Sequence, residues 1–154
     1  MLEETVCVVA GGGNGLGRAA AHELADHGAR VVVNDLGTAV DGEGSDPTVA
    51  RDVAEEIRES GQEAMAHTGD LTEFAAAESL VEETVAAYGR LDFVVNFAGI
   101  LRDNYLTNLA PEDWRAVIDT NLTGQFTLLQ AACRHWREAA GDDGFERQQS
   151  YLAV

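Results

Sequence analysis

A glycine-rich segment at residues 11–17 is the first place in the sequence where the residue types suggest binding chemistry. It carries Gly11, Gly15 and Gly17, follows a short apolar run and leads directly into a helical pattern. Glycine lets backbone N–H groups approach a phosphate closely, and the amino end of a helix attracts anions. The spacing differs from the G-x-G-x-x-G fingerprint, and a plain flexible turn is the alternative. The strand before the segment and the helix after it favour a pyrophosphate site.

Asp35 supplies a second chemical feature at the end of the next apolar run. It lies about 20 residues beyond the glycine segment, where a dinucleotide-binding fold places an acid that accepts hydrogen bonds from the adenosine ribose. The same charge would repel a 2′-phosphate, and the next residue is Leu36 rather than an arginine that could bind one. Asp35 and Leu36 together therefore favour NAD over NADP as the cofactor. A solvated loop acid is the alternative interpretation of Asp35.

The elements that must position these residues alternate between short apolar runs and amphipathic stretches. Three valine-rich apolar runs, at residues 5–10, 29–34 and 91–96, predict strands that are covered on both faces. Residues 64–67 form a weaker fourth run, and residues 150–154 are interpreted as the beginning of a fifth strand. Apolar residues spaced three and four apart predict helices between them, and these span residues 16–27, 49–60, 74–88, a segment from Pro111, and 123–140. Strands separated by helices pair in parallel through right-handed crossovers, so the sequence predicts an α/β fold with a doubly wound parallel sheet.

Two expectations concern the packing of individual side chains. In the last predicted helix Phe126, Leu129, Cys133 and Trp136 run along one stripe, as in an amphipathic helix. The two cysteines, Cys7 and Cys133, lie far apart within apolar segments. We expect both to be small core residues rather than a disulfide or a metal site. The four histidines have no metal-like spacing, so no metal is predicted.

The charge balance excludes some classes of partner. The chain has 27 Asp and Glu against 10 basic residues, a formal net charge of -17, and all the basic residues are arginines. This balance disfavours nucleic acid as a partner. The absence of lysine resembles proteins of salt-accumulating halophilic microbes, an ordinary acidic protein being the alternative. No apolar run approaches about 18 residues, and no basic-then-apolar segment begins the chain, so we expect no membrane interaction and a cytoplasmic location.

Two further segments complete a family pattern, one at residues 70–71 and one at residues 96–99, each following a predicted strand. With the glycine segment and the acid after the second strand, they resemble the short-chain dehydrogenase/reductase family over essentially the whole chain. Ala10 stands where that family has threonine, and Phe97 stands where it has a second asparagine. The sequences VVVNDLG and NFAGILRD and the long insert at residues 37–46 are similar to the branch that contains 3-oxoacyl reductases and (3R)-hydroxyacyl-CoA dehydrogenases.

The resemblance implies a Rossmann-like sheet with strand order 3-2-1-4-5, lacking the last strands of the family. Residues 1–154 would then form one NAD(P)-binding domain, the N-terminal portion of the family fold. The implied activity is hydride transfer between NAD and a hydroxyacyl, ketoacyl or related alcohol substrate. The implied cofactor contacts are Gly11, Asn14, Gly15, Leu16, Gly17, Asp35, Leu36, Asp70, Leu71, Asn96, Ala98 and Gly99.

Asn121 is the one catalytic position of the family that the chain retains. It shares a predicted helical face with Trp114, Val117 and Ile118, so we expect it to point inward. A buried amide without partners costs about 1–3 kcal/mol, so an inward asparagine must be hydrogen-bonded. In the resembled family this residue holds a water of a proton relay. A structural asparagine that bonds strand backbone is the alternative.

The remaining catalytic groups of the family are absent from the sequence. The family uses a serine after the fifth strand and a downstream Tyr-x-x-x-Lys, and this chain has no lysine. Tyr151 has no residue four positions on, and Ser150 opens the predicted fifth strand instead of following it. We therefore expect a truncated or split enzyme, inactive as an isolated chain. The alternatives are an NAD-binding module and a non-functional fragment. Family members are usually homo-oligomers, but the missing part carries a helix of their interface, so oligomerisation is in doubt.

Overall fold

The computed structural model describes residues 2–141, 144 and 148–154. The strands are β1 (Val6–Ala10), β2 (Arg30–Asn34), β3 (Ala64–His67), β4 (Phe93–Asn96) and β5 (Ser150–Ala153). The helices are α1 (Gly15–Asp26), α2 (Thr48–Glu59), α3 (Phe74–Tyr88), α4 (Pro111–Ile118) and α5 (Gly124–Ala140), and a π-helical turn at Asp119–Thr123 joins the last two.

The strands form one sheet in the order β3-β2-β1-β4-β5, with every neighbouring pair parallel. This arrangement confirms the predicted doubly wound topology and its strand order. The register places the carboxyl-terminal residues of four strands side by side: Ala10 pairs with Asn34 and with Asn96, and Asn34 pairs with His67. In such sheets ligands bind beyond this edge, so the topology itself indicates where to look for a site.

Each face of the sheet is covered by a helix layer, which explains the unbroken apolar strands. Cys7, Val9 and Val31 point into a core formed with α1 and α2. Val8 and Val94 point into the opposite core, formed with α3 and α5. Burying a valine or leucine side chain contributes about 1.5–3 kcal/mol, so the two cores account for the strand composition. None of the described helices is both long and apolar enough to cross a membrane.

Local signals set the helix boundaries. Pro111 is the first residue of α4, where its missing N–H costs no hydrogen bond, and Glu112 and Asp113 occupy the first turn. Gly89 follows α3 in the left-handed conformation, with φ of 77°. That residue ends the helix where the sequence predicts it, because glycine adopts this conformation without steric cost.

The structure corrects the expectations for α5. Of the predicted stripe only Trp136 is buried, whereas Phe126, Leu129 and Cys133 are exposed. The buried face consists of smaller residues and one leucine, namely Gly124, Thr127, Leu128, Ala131, Ala132 and Trp136. Small side chains let α5 approach α3 closely, so most of the predicted stripe lies outside the buried face. The expectation for Cys7 is confirmed, and that for Cys133 is wrong.

Candidate functional site

The turn after β1 is held by direct backbone contacts. A Cβ atom on Gly17 would lie 2.0 Å from the carbonyl oxygen of Gly11, so only glycine fits where α1 crosses the turn. Gly11 itself has φ of +67°, and a Cβ there would lie 2.7 Å from the amide nitrogen of Ala98. The turn is therefore packed against the segment that follows β4, and any side chain at these two positions would push them apart.

The next part of the turn is open instead of packed. Nothing lies within 4 Å of a Cβ built on Gly15, and Asn14, Gly15 and Leu16 are all exposed. Asn14 precedes α1 in extended conformation and makes no side-chain capping hydrogen bond to it. The amino end of α1 thus faces open space with backbone N–H groups and the positive end of its dipole. This arrangement can accept an anion such as a phosphate.

The carboxylate of Asp35 faces the glycine turn. One oxygen accepts a hydrogen bond from the Gly13 amide at 2.8 Å, and the other accepts one from the Gly37 amide at 2.8 Å. The contact is tight, because a Cβ on Gly13 would lie 2.8 Å from that same carboxylate. Asp35 is half-buried, and each oxygen keeps a lone pair for a further donor. The site therefore has a fixed negative charge beside its phosphate-sized opening.

A pair of side chains at the ends of β2 and β3 shapes the loop that carries Asp70. The Asn34 amide nitrogen lies 3.0 Å from Nδ1 of His67 and donates to the Gly69 carbonyl oxygen at 3.1 Å. The Gly69 amide donates to the same Nδ1 at 3.2 Å. Burial lowers the pKa of His67, and the charge of Glu83 opposes that shift. A neutral ring with an acceptor at Nδ1 suits both donors, so this pair fixes the course of the loop.

Asp70 and Leu71, the two predicted cofactor contacts after β3, lie in different environments. The Asp70 carboxylate accepts a hydrogen bond from the Thr72 amide at 2.9 Å and lines the space in front of the sheet. The Leu71 side chain is almost fully buried in the core with α3 and α5. The Leu71 carbonyl oxygen accepts a hydrogen bond from the Thr127 hydroxyl, which ties α5 to this loop. Leu71 therefore anchors the loop through its side chain, and Asp70 is the polar group presented at the surface.

Asn96 fixes the segment that follows β4. Its side-chain oxygen accepts a hydrogen bond from the Ala98 amide at 2.9 Å, and its amide group donates to the Tyr151 hydroxyl at 3.0 Å. Burial raises the pKa of Tyr151, and the hydrogen bond from Asn96 works in the opposite direction. Asn96 is 1% exposed, so it acts from beneath the surface that Ala98 presents. The bend it holds places Ala98 against Gly11.

Asn121 does not point into the core, so that prediction is wrong. Asn121 is exposed, Trp114 on the same predicted face is 58% exposed, and α4 has no buried residue. The π-helical turn turns Asn121 toward the loop after β4 instead. Its oxygen accepts a hydrogen bond from the Ile100 amide at 2.8 Å, and its nitrogen donates to the Ile100 carbonyl at 3.1 Å. The amide thus bonds backbone, as the structural alternative expects, although in a loop and not in a strand. A part in proton transfer stays a prediction.

These elements enclose a crevice of about 670 Å³ along the carboxyl edge of the sheet. Nine of the predicted contacts line it: Gly11, Asn14, Gly15, Asp35, Leu36, Asp70, Leu71, Ala98 and Gly99. Leu16, Gly17, Asn96 and Asn121 are not among the lining residues. Gly17 and Asn96 act on the turns beneath the crevice, as described above. The structure therefore brings most of the predicted contacts to one elongated opening.

Sequence reasoning missed four groups of lining residues. They come from the end of β2 with the loop after it, the loop after β3, the loop after β4 and the α4–α5 region: Asn34, Thr38, Ala39, Val40, Gly42, Gly69, Thr72, Phe97, Ile100, Arg102, Ala116, Thr120 and Gly124. The length of the insert at 37–46 was a signal for the first group, because long ordered loops often carry function. The other groups had no local signal. Within the described part of the chain, no three His, Cys, Asp or Glu side chains group as metal ligands.

Comparison with known proteins finds a family model and several enzymes that are similar to this chain. A family model described as short chain dehydrogenase matches residues 5–144. Hydroxyacyl-CoA dehydrogenase ChsB1 of Mycobacterium tuberculosis is 43% identical over 145 residues, which are 92% of this chain and 43% of that protein. Peroxisomal multifunctional enzyme type 2 of Drosophila melanogaster is 44% identical over 127 residues, which are 82% of this chain and 21% of that protein.

A solved structure agrees with the sequence relatives. A short chain dehydrogenase from Mycobacterium avium superposes with a TM-score of 0.84 at 37% identity, covering 94% of this chain and 51% of that one. The chain thus spans about half or less of the length of the relatives it matches. The glycine turn, the first four strands and the acid after β2 all lie within the residues that the family model matches.

Proposed function

Because the chain belongs to the short chain dehydrogenase family, whose members generally bind NAD(P), we propose that its crevice binds NAD in preference to NADP. The proposal assigns the pyrophosphate to the open amino end of α1, near Gly15. It assigns the adenosine ribose to the carboxylate of Asp35 and the adenine to the neighbourhood of Asp70. Such an extended ligand suits an opening of about 670 Å³.

The observation that carries the proposal is the hydrogen bond from the Gly13 amide to the Asp35 carboxylate, at 2.8 Å. It holds a negative charge directly beside the turn, where ribose hydroxyls can donate to it and a 2′-phosphate would be repelled. The residues present therefore fit an unphosphorylated ribose. The open space at Gly15 gives an independent sign of fit, because a cradle for a pyrophosphate must be free of side chains.

Bound NAD would supply hydride transfer, which the side chains of a protein cannot perform. This chain's own residues bind and orient. Asn96 holds the bend at Ala98, and Asn121 holds the backbone of Ile100, so both fix the loop that borders the crevice after β4. The Asn34 and His67 pair holds the loop of Asp70 on the other side. Orientation of this kind reduces the entropy that a ligand must lose on binding.

We assign cofactor binding, and not proton transfer, to these residues. The sequence contains no lysine and therefore no Tyr-x-x-x-Lys segment. A tyrosine without such help has a pKa of about 10 and is a poor base at neutral pH. Burial raises the pKa of Tyr151 further. We therefore propose that the isolated chain binds NAD without turnover.

The whole protein's substrate is a further proposal. A relative from Mycobacterium tuberculosis carries the name hydroxyacyl-CoA dehydrogenase. We propose a hydroxyacyl or ketoacyl thioester or a related alcohol as the substrate class. Within this chain the support is the branch pattern at residues 31–37, in the insert at 37–46 and in the segment after β4, all of which lie in the matched residues.

Calorimetric titration with NAD and NADP at molar KCl tests the cofactor assignment, because salt screens a formal charge of -17. We expect NAD to bind at least about tenfold more tightly than NADP. Asp35→Asn should weaken NAD binding about tenfold and reduce the discrimination, since charge-assisted hydrogen bonds are stronger than neutral ones. Asp26→Asn, at the exposed end of α1, makes the same charge change and should alter neither value.

Three results would each refute a different part of this proposal. A wild-type chain that is folded but shows no heat with either dinucleotide would refute cofactor binding. An Asp35→Asn chain that keeps the wild-type preference for NAD would show that the carboxylate does not face the ribose. Measurable oxidation of a hydroxyacyl thioester by the purified chain would overturn the proposal that the chain binds NAD without turnover.

A further inference from the structure

The loop between β2 and α2 is closed at its base. The Asp46 amide donates to the Leu36 carbonyl oxygen at 3.1 Å. Gly37 has φ of +71°, and a Cβ there would lie 2.1 Å from the Asp46 carbonyl oxygen, so the two ends of the loop are pressed together. We call residues 37–46 the β2–α2 loop. The tip is also closed on itself, since the Ala39 amide donates to the Glu43 carbonyl oxygen at 2.9 Å. These internal hydrogen bonds shape the loop, and its position relative to the crevice depends on its contacts with other segments.

The tip of the β2–α2 loop is joined to the segment that follows β4. The Leu101 amide donates to the Val40 carbonyl oxygen at 2.9 Å. Nε of Arg102 donates to the Asp41 carbonyl oxygen at 2.7 Å, and one terminal nitrogen donates to the Glu43 carboxylate at 3.1 Å. These contacts link positions about 60 residues apart in sequence. They connect the two loops across the crevice.

Arg102 also reaches a third element. Its other terminal nitrogen donates to the Asp113 carboxylate in the first turn of α4, at 3.0 Å. All three nitrogens of the guanidinium therefore have acceptors, two on the β2–α2 loop and one on α4, and the side chain is only 20% exposed. A planar guanidinium suits such a junction because its donors point in fixed directions. Two carboxylates beside it offset its charge, so it serves as a junction and not as a phosphate ligand.

The joined segments are walls of the crevice. Leu36, Thr38, Ala39, Val40 and Gly42 line it from one side, and Ala98, Gly99 and Ile100 line it from the other. A free ten-residue loop would lose conformational entropy when a ligand ordered it, whereas a loop already held in place loses little. A connection that holds the loop in place would therefore favour ligand binding by reducing this entropy loss.

We propose that Arg102 is a positioning residue for the cofactor, an inference that rests on the proposed function. It fixes the β2–α2 loop as a preformed wall of the NAD crevice by joining it to the segment after β4 and to α4. Loss of the junction should leave the sheet and both cores unchanged, since Arg102 belongs to neither core cluster. It should weaken NAD binding and loosen the loop.

The test combines amide hydrogen exchange on the ligand-free chain with NAD titration. Arg102→Ala should speed exchange of the Leu101 and Ala39 amides and weaken NAD binding about tenfold, with little change in the melting temperature. Arg102→Lys should recover part of both effects, because one ammonium can satisfy only some of the acceptors. Arg134→Ala is the matched control: Arg134 pairs with Glu78 on the outer face of α3 and α5, and both readouts should stay at wild-type values.

A milder variant keeps the inference testable if Arg102→Ala does not fold. Glu43→Gln removes one charged partner at the exposed tip and should shift exchange and affinity in the same direction by a smaller factor. Unchanged exchange in Arg102→Ala would overturn the inference, and so would faster exchange with wild-type affinity for NAD. A wild-type chain that does not bind NAD would refute the proposed function and this inference with it. If the wild-type chain binds NAD and Arg102→Ala binds it equally tightly, the inference is refuted and the proposed function stands.

Discussion

The two long walls of the crevice are built in different ways. The wall formed by the glycine turn is held mainly by backbone contacts, Gly17 against Gly11 and Gly11 against Ala98. One side chain adds to them, since the Asp35 carboxylate accepts a hydrogen bond from the Gly13 amide. The wall formed by α4, the π-helical turn and α5 contributes Ala116, Thr120 and Gly124. It is anchored at the loop after β4 by side chains such as Asn121, and α4 buries none of its residues.

This difference indicates which wall of the crevice tolerates amino-acid substitutions and which does not. Backbone packing leaves no room for adjustment, because the contacting atoms cannot change rotamer. The helix wall is joined through side chains and presents large apolar groups to solvent, including Phe126, which is 51% exposed and packs edge-on against Phe74 at a centroid distance of 6.0 Å. We therefore expect single substitutions to damage the turn far more than the outer face of the helix wall.

The largest effect should come from Gly17→Ala. Its new Cβ would lie 2.0 Å from the Gly11 carbonyl oxygen, so the turn must move or the helix must shift. We expect a loss of about 3 kcal/mol or more in the free energy of unfolding, measured by urea denaturation. Gly15→Ala meets open space and costs only its left-handed conformation, about 1 kcal/mol, but it should weaken NAD binding.

Gly61→Ala provides the matched control for that pair. Gly61 has φ of +91°, nothing lies within 4 Å of its Cβ position, and it lines no part of the crevice. It should lose about as much stability as Gly15→Ala, since both substitutions place a side chain on a left-handed residue, while NAD affinity stays unchanged. Equal stability of Gly17→Ala and Gly15→Ala would contradict the account of the turn.

The next effect distinguishes the two faces of the helix wall. Leu128→Ala removes a fully buried side chain from the core between α3, α5 and the sheet, and it should cost about 3 kcal/mol. Leu129→Ala, one position along, truncates a side chain that is 38% exposed and should cost less than about 1 kcal/mol. Thermal and urea unfolding of the two variants measure this contrast. Similar losses would mean that α5 is covered on both faces in solution.

The smallest effect is a pH dependence at the outer edge of the glycine-turn wall. Burial lowers the pKa of His67 from its ordinary 6.5, although the charge of Glu83 opposes the shift. The fold therefore favours the neutral ring, and protonation would place a hydrogen on Nδ1 against the Gly69 amide and the Asn34 amide group. Its contribution to stability is complete above the ordinary pKa and is lost as the pH falls through the lowered one.

His67→Gln isolates that contribution from the carboxylates that titrate in the same acid range. The free energy of unfolding of wild type minus that of the variant should be larger at about pH 7.5 than at about pH 5. Urea denaturation at the two pH values measures the difference. A difference that is the same at both would show that His67 ionises as easily in the fold as in the unfolded chain.

The glycine-turn wall is the part of the site that the sequence predicts well. Glycine at positive φ, a valine-rich strand and an acid at the next strand end are local features, and each has a steric or electrostatic reason that does not depend on distant residues. The alternation of strands and helices predicts the parallel sheet, and the family resemblance implies the strand order that sets Ala10, Asn34 and Asn96 in one row. Which dinucleotide binds depends on a ligand, so the NAD preference stays a prediction, as do the halophilic origin and the cytoplasmic location.

The helix wall could not be predicted in the same way. A period of 3.6 residues assigns faces only while the helix stays regular, and the π-helical turn at Asp119–Thr123 interrupts it just where Asn121 lies. In α5 the close approach to α3 selects small residues such as Ala131 and Ala132 for the buried face. Choosing the buried face of α5 by its large apolar residues therefore gave the wrong face. The contacts of Arg102 depend on tertiary folding and had no local signal.

The fold also makes its two thiols chemically unequal. Burial, with a contribution from the charge of Asp92, raises the pKa of Cys7 to about 12, whereas Cys133 stands exposed on α5. Alkylation by maleimides requires a thiolate that the reagent can reach. A dye or spin label added to the native chain would therefore attach at Cys133 and leave Cys7 unmodified, giving a single reporter on the helix wall without any engineered cysteine.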